Sequence, residues 1–255
     1  MLSKSQIGLL RSLQEKKARF EHQLFLVEGE KMVDELFLSN FIIRQVYINK
    51  GISIDSKKNY SNLNKNLEWI ELSSEDMQKI SSHPTAPSII ALVQIPKYTE
   101  DNLKWPVLVL DDVQDPGNLG TLIRIADWFD FKTVVCSKGS VLWHNPKVIQ
   151  SSMGSFLRIP VLELDLFEFL SHTTRKIFGA NLNGHSIYSE NLEEMDILIL
   201  GNESRGISHK IESLIHQAIS IPGRGKAESL NVAIAGGIIC SERSRQIDQK
   251  KINNF

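Results

Sequence analysis

The sequence predicts an α/β protein of two units, a small α/β module followed by a larger parallel sheet covered by helices. Two patterns predict it. From Pro106 onward short apolar runs alternate with helical stretches, as a parallel sheet with crossover helices requires. Before it, residues 20–95 hold strands and helices of their own, and IPKYTEDNLKWP (residues 95–106), polar and with two prolines, breaks the periodicity like a linker.

Residues 3–20 read as one helix with Ile7, Leu9, Leu10 and Leu13 near one face. Lys4, Arg11, Lys16, Lys17 and Arg19 stand there against the single acid Glu15, so this most basic stretch reads either as a phosphate-facing arm or as a solvated helix face. A strand at 24–27, a helix at 31–38, a strand at 42–48, a polar stretch at 50–67, a strand near Trp69, a helix from Ser74 and a strand at 89–95 complete the first module. The second has strands at 107–111, 133–136, 177–180, 196–200 and 218–221, and helices at 118–129, 146–153, 165–172, 208–214 and 230–245.

With 42% hydrophobic residues over 255, the chain can bury one large core or two smaller ones. A formal net charge of −1 means that any grip on nucleic acid is local. Cys136 and Cys240 lie in apolar runs without a C-x-x-C pair and read as reduced core thiols, in keeping with the cytoplasm. No apolar run approaches the ~20 residues of a membrane helix, and the N-terminus has no cleavable leader pattern. The histidines show no H-E-x-x-H or other ligand spacing, so no metal is expected. Of the histidines only His144, between Trp143 and Asn145, is a candidate to face nucleic acid, as the lesser of its readings, while Trp69, Trp105, Trp128 and Trp143 serve core packing in the main, with base stacking as the alternative.

Ligands of parallel sheets sit in the loops after the strands' carboxyl ends, and three such loops stand out. In LDDVQDPGNLGTLIRIADWF, Pro116 and Gly117 turn the chain and Asn118 can cap the helix carrying Arg124, about one and two-thirds turns on. That loop alone fits a capped helix with a solvent-facing arginine somewhat better. In ILILGNESRGISHK, Gly201 and Gly206 allow close backbone approach and Glu203 offers an acceptor, though the spacing is no G-x-G-x-x-G. In ISIPGRGKAESLNVAIAGGIICSE, Ser229 and Asn231 open a helix of small residues, and Lys226 followed by Ala227 rules out the Walker spacing.

Together QDPGNLGTLIRIADWF, LGNESRGIS and IP…AESLNVAIA, with NPKVIQSSMGSFLRIPV between them, resemble the signature motifs of SPOUT-class RNA methyltransferases, in the SpoU (TrmH-like) branch that methylates ribose 2′-hydroxyls. The resemblance spans roughly residues 106–245; FLVEGEKMVDEL, within residues 20–95, is similar to that family's L30e-like substrate-binding domain. It implies an L30e-like domain at 1–97, a linker at 98–105 and a SPOUT domain at 106–255 whose C-terminal part threads a trefoil knot, an exception to the rule against knots. It also implies a homodimer that binds S-adenosylmethionine, released as S-adenosylhomocysteine, through Leu200, Gly201, Asn202, Ile221 and Leu230, with Ala180, Asn181 and Leu182 beside them. Asp130 and Gln150 depart from the family's usual glycine and basic residue.

The resemblance puts Arg124 where the 2′-hydroxyl loses its proton, with Asn118, Glu203, Ser229 and Asn231 holding the guanidinium and the ribose. Arginine gives up a proton only at very high pH, so orienting the hydroxyl and stabilising developing alkoxide is its easier task. With the extra N-terminal domain the expected substrate is ribosomal RNA. Transfer RNA is the alternative, and a non-catalytic RNA-binding assembly factor and a phosphotransferase are the competing functions.

Overall fold

In the computed structural model, which describes residues 2–50 and 67–253, the chain divides into two compact units. The first comprises Met1–Lys97 and His144–Leu157; the second comprises Tyr98–Trp143 and Arg158–Phe255. All but the ends of the polar stretch expected at 50–67 lies outside the described residues.

The first unit holds a four-stranded sheet in the order β1-β4-β2-β3, formed by β1 (Leu24–Glu28), β2 (Ile43–Asn49), β3 (Glu68–Leu72) and β4 (Ile89–Gln94). β4 is antiparallel to both its neighbours, and β2 and β3 are parallel. Around it lie α1 (Lys4–Ser12), α2 (Lys16–His22), α3 (Glu30–Phe37) and α4 (Ser74–Ile80). The single helix expected over 3–20 is two helices. α1 opens on a capping box between Ser3 and Gln6, and it ends where Leu10 and Leu13 are buried.

Arg19 explains the break. Carbonyls at a helix C-terminus lack intrahelical donors. Arg19 Nη1 folds back to supply them, donating to the carbonyls of Leu13 (2.9 Å) and Gln14 (2.6 Å), while Nε donates to His144 Nδ1 (3.1 Å). Arg19 is therefore only 2% exposed, which overturns its assignment to a phosphate-facing arm. His144, 7% exposed, is likewise withdrawn from any RNA-facing role. Burial, reinforced by the charges of Arg19 and Lys16, lowers its pKa to about 4, so the ring is neutral and its Nδ1 accepts from Arg19. Lys4, Arg11, Lys16 and Lys17 stay exposed.

The segment that follows His144, assigned by sequence to the second domain, packs in the first unit. Phe156 sits edge-on against Phe25 (centroids 6.1 Å apart) and Phe41 (5.8 Å), an aromatic contact that ties the segment to this unit.

The second unit is a six-stranded, wholly parallel sheet in the order β10-β8-β9-β5-β6-β7. Its strands are β5 (Val107–Leu110), β6 (Thr133–Ser137), β7 (Val161–Leu164), β8 (Ile177–Ser186), β9 (Ile197–Leu200) and β10 (Gln217–Ser220). The helices along this half of the chain are α5 (Pro116–Trp128), α6 (Pro146–Ser152, part of the first unit), α7 (Leu166–Ser171), α8 (His209–Glu212) and α9 (Val232–Asn253). β7 was not foreseen, because its run VLEL is broken by Glu163 and leads, after Asp165 alone, into the apolar start of α7. Strands β5 and β9 are buried throughout, as expected of a sheet covered on both faces.

Tyr98, Leu103 and Trp105, expected in a linker, pack against the second unit's core. Trp105 stacks on Phe169 (6.4 Å) and lies under the guanidinium of Arg175 (4.9 Å). Trp69 stacks on Phe37 (5.8 Å) and Trp143 is half-buried, but Trp128 is 80% exposed, contrary to a core role. Cys136 and Cys240 are free and buried, and burial pushes both thiols up to about 12. Among the described residues no helix is long and apolar enough to cross a membrane.

Candidate active site

β5 is the first strand of its sheet in the chain but lies inside it, with β6 and β7 to one side and β9, β8 and β10 to the other. Such a reversal opens a crevice at the strands' carboxyl ends, where the three loops singled out above begin.

The first loop, residues 111–115, leads into α5. Asp115, not Asn118, is the cap: its Oδ1 accepts from the backbone N–H of Asn118 (2.8 Å), and Pro116 takes the first helical position. The Asp-Pro pair was the sequence signal for this. Asn118 then lies inside the helix with its side-chain amide free for other work. Its Nδ2 donates to Glu203 Oε1 (2.8 Å), and its Oδ1 accepts from Asn231 Nδ2 (2.9 Å). Thus one amide joins all three loops.

The second loop leaves β9 as a tight turn. Asn202 and Gly206 exchange backbone hydrogen bonds of 2.9 Å in both directions, and Asn202 Oδ1 accepts from the N–H groups of Ser204 (3.0 Å) and Arg205 (3.1 Å). The turn is closed so tightly that a Cβ on Gly201 would lie 2.2 Å from the Gly206 carbonyl carbon, so the position requires glycine. Asn202, together with residues that sequence reasoning passed over, fastens this loop to the first. Asn202 Nδ2 donates to the Asp112 carbonyl (2.8 Å), Ser208 N–H donates to buried Asp111 (2.8 Å), and Arg205 pairs with the Asp112 carboxylate. The sequence showed these acids only as a polar end to a strand.

The third loop reaches α9, which Asn231 caps through its Oδ1, accepting from Ala233 (2.9 Å) and Ile234 (3.3 Å). α9 lies close against α5 and β9: a Cβ on Gly236 would come within 2.8 Å of both Leu122 and Leu200. Residues 222–230 make no hydrogen bond among the described residues, and all are exposed. Backbone donors and acceptors so left are available to a ligand.

Of the expected catalytic set, Asn118, Glu203 and Asn231 are therefore hydrogen-bonded together. Arg124 is exposed on α5, and Ser229 is exposed in the third loop; neither side chain makes a hydrogen bond or ion pair among the described residues. Of the expected cofactor set, Leu200 is buried at the end of β9, Gly201, Asn202 and Ile221 are half-buried, and Leu230 is 47% exposed. On β8, Ala180 and Asn181 are half-buried, Asn181 Nδ2 donates to Glu212 Oε1 (2.7 Å), and Leu182 is 73% exposed. Among the described residues no group of histidine, cysteine and acidic side chains comes together as a metal set.

Two family models match successive stretches of the chain. Residues 106–241 match the family model described as SpoU rRNA Methylase, and residues 4–91 match one described as an MRM3-like substrate binding domain. A curated relative from Bacillus subtilis, "23S rRNA (guanosine(2553)-2'-O)-methyltransferase RlmP", is 32% identical over 90% of this chain and 92% of its own length. A solved TrmH-family protein from Porphyromonas gingivalis is 36% identical with a TM-score of 0.84, covering 96% of this chain and 99% of that one. The SpoU methyltransferase AviRb from Streptomyces viridochromogenes, solved with AdoMet, shares the fold at a TM-score of 0.86 and 20% identity, over 96% of this chain and 99% of its own.

Proposed function

Since the chain belongs to the SpoU rRNA methylase family, we propose that it moves the methyl group of S-adenosylmethionine to a ribose 2′-hydroxyl of ribosomal RNA. The observation that carries this reading is the hydrogen-bonded set Asn118, Glu203 and Asn231, drawn from three loops at the sheet's carboxyl edge.

The residues present fit the cofactor. Residues 222–230 offer unpaired backbone groups for a purine edge, the tight Gly201 turn brings main chain close, and Leu182 and Leu230 offer apolar surface. Leu200, Gly201, Asn202, Ile221 and Leu230 would hold it, with Ala180, Asn181 and Leu182 alongside. When bound, it supplies a methyl group already activated on a sulfonium for in-line displacement.

The protein's own part is positioning and charge. The exposed guanidinium of Arg124 orients the hydroxyl and stabilises the developing oxyanion, while the proton passes to solvent water. Glu203, its carboxylate fixed by Asn118, is an acceptor for the ribose or the guanidinium, and Ser229 adds a hydroxyl donor at the mouth of the third loop. Ribosomal rather than transfer RNA is favoured because the Bacillus subtilis relative matches across both units, including the one resembling a substrate-binding domain. The exposed bases Lys4, Arg11, Lys16 and Lys17 in that unit supply phosphate contacts.

The protein acts as a homodimer in the cytoplasm. Trp128 (80% exposed) and Ile234 (56%), on two helices packed together, are exposed apolar side chains that a second copy would cover. The knot belongs to the same reading: β10 is separated from β5 by two strands, yet Asn231 bonds to the helix after β5.

Incubation with tritiated S-adenosylmethionine and separate pools of unmodified ribosomal and transfer RNA, followed by nuclease mapping, tests the proposal. Label in a 2′-O-methylnucleotide of ribosomal RNA is expected. Label in transfer RNA alone would reassign the substrate, and cofactor binding with no label in either pool would point to a non-catalytic assembly factor.

A further inference from the structure

Helix α2 places an aromatic ring at the centre of its solvated face. Ala18 packs on the first unit's core and Arg19 is buried, so these two residues mark the inward side. At about 100° per residue the opposite side falls at Phe20, with Lys16 and Lys17 flanking it. Phe20 is 71% exposed, both lysines are exposed, and neither ammonium makes a hydrogen bond or ion pair among the described residues.

A single exposed apolar side chain is ordinary. This one is held in place. The three hydrogen bonds of Arg19, to Leu13, Gln14 and His144, prevent the helix from rolling to cover the ring, and Gln23 Nε2 donates to the Phe20 carbonyl (2.7 Å) at the helix end. A rigidly presented aromatic face between two unpaired cations matches the chemistry of single-stranded nucleic acid, whose bases stack while its phosphates seek positive charge. The unit that carries it matches a model described as a substrate binding domain.

We infer that Phe20, Lys16 and Lys17 form a stacking subsite for an unpaired nucleotide of the RNA substrate. The base lies on the Phe20 ring and the adjoining phosphates lie against the two ammonium groups. Stacking on a ring tolerates any base, so this subsite adds affinity and register without reading sequence. The inference rests on the reading that the substrate is RNA.

The test is filter binding of a ribosomal RNA fragment by the full chain, alongside methyl transfer to the same fragment. Phe20→Ala is expected to weaken binding about tenfold and raise KM by a similar factor, with kcat at saturating RNA unchanged. Phe20→Tyr should restore binding and Phe20→Leu should not, which separates stacking from mere apolar contact. Lys16→Ala and Lys17→Ala should each reduce the slope of log affinity against log salt by roughly 0.7. Removing an exposed ring leaves the fold intact, as an unchanged Tm will show. Methyl transfer and binding indifferent to Phe20 would overturn the subsite and leave the activity standing. Binding that depends on Phe20 without methyl transfer would overturn the activity and leave the subsite. Absence of RNA binding by the unaltered protein, or a defect repaired equally by leucine and tyrosine, would overturn the inference.

Discussion

Asn118 and Asn231, 113 positions apart in the chain, share a 2.9 Å hydrogen bond in which the Asn231 amide donates to the Asn118 carbonyl oxygen. The other end of the same Asn118 amide donates to Glu203, so both its functions are committed. Asn118→Asp would replace that donor by a second acceptor facing a carboxylate. Turnover should fall by about 10–100-fold, the cost of replacing a half-buried hydrogen bond by two facing carboxylates, with little change in Tm. Single-turnover methyl transfer measures it, and a wild-type rate would remove Asn118 from the site.

Arg124→Ala should lower the rate of methyl transfer by about 10²–10³, because a preorganised charge next to a forming oxyanion is lost. Cofactor affinity, read by calorimetry, should stay within about twofold, since Arg124 is no part of the cofactor loops. Equal losses in both quantities would mean that Arg124 serves binding instead.

The buried His144 makes the first unit sensitive to acid. Its pKa lies near 4, below the ordinary 6.5, through burial first and then the neighbouring charge of Arg19. The unfolded chain therefore takes up a proton that the folded chain refuses. The stability tied to a neutral His144 is complete above pH 6.5 and is lost as pH falls towards 4, on the order of 3 kcal/mol in all. Urea unfolding at pH 7 and pH 5 should show this slope, and His144→Gln, which keeps an acceptor for Arg19 but cannot titrate, should flatten it. Identical slopes for the two proteins would exclude His144 as the cause.

Trp128→Glu combined with Ile234→Asp should convert the proposed dimer into a 28.9 kDa monomer in light scattering, because charges cannot be buried unpaired in an apolar interface. If the unaltered protein already scatters as a monomer, these side chains have another use.

The parallel sheet and the loops at its edge were legible because they leave marks in residue type: continuous apolar strands, then glycine, asparagine and acids where the chain turns. The family resemblance read from those loops agrees with the match over residues 106–241. What stayed hidden depended on contacts distant in sequence. A periodic count cannot show that Arg19 turns inward to cap a broken helix, since the residue is charged and the helical pattern continues past it. Nor can it show that Asp112 and Arg205 tie two loops together, for neither residue belongs to a periodic face. The Asp115 cap was readable from Asp-Pro, and Asn118 was mistaken for it because asparagine is favoured at the same position.

The insertion of residues 144–157 into the first unit has a bearing on how such chains can be recombined. A gene cut after Lys97 would deliver a fragment in which Phe25 and Phe41 have lost Phe156 and the Arg19 guanidinium has lost its imidazole acceptor. The reciprocal fragment would carry a stretch whose packing partners lie on the discarded piece. Exchange of the amino-terminal module between homologues, in evolution or by hand, therefore works only when this distant segment travels with it, and the two halves must co-inherit rather than be shuffled.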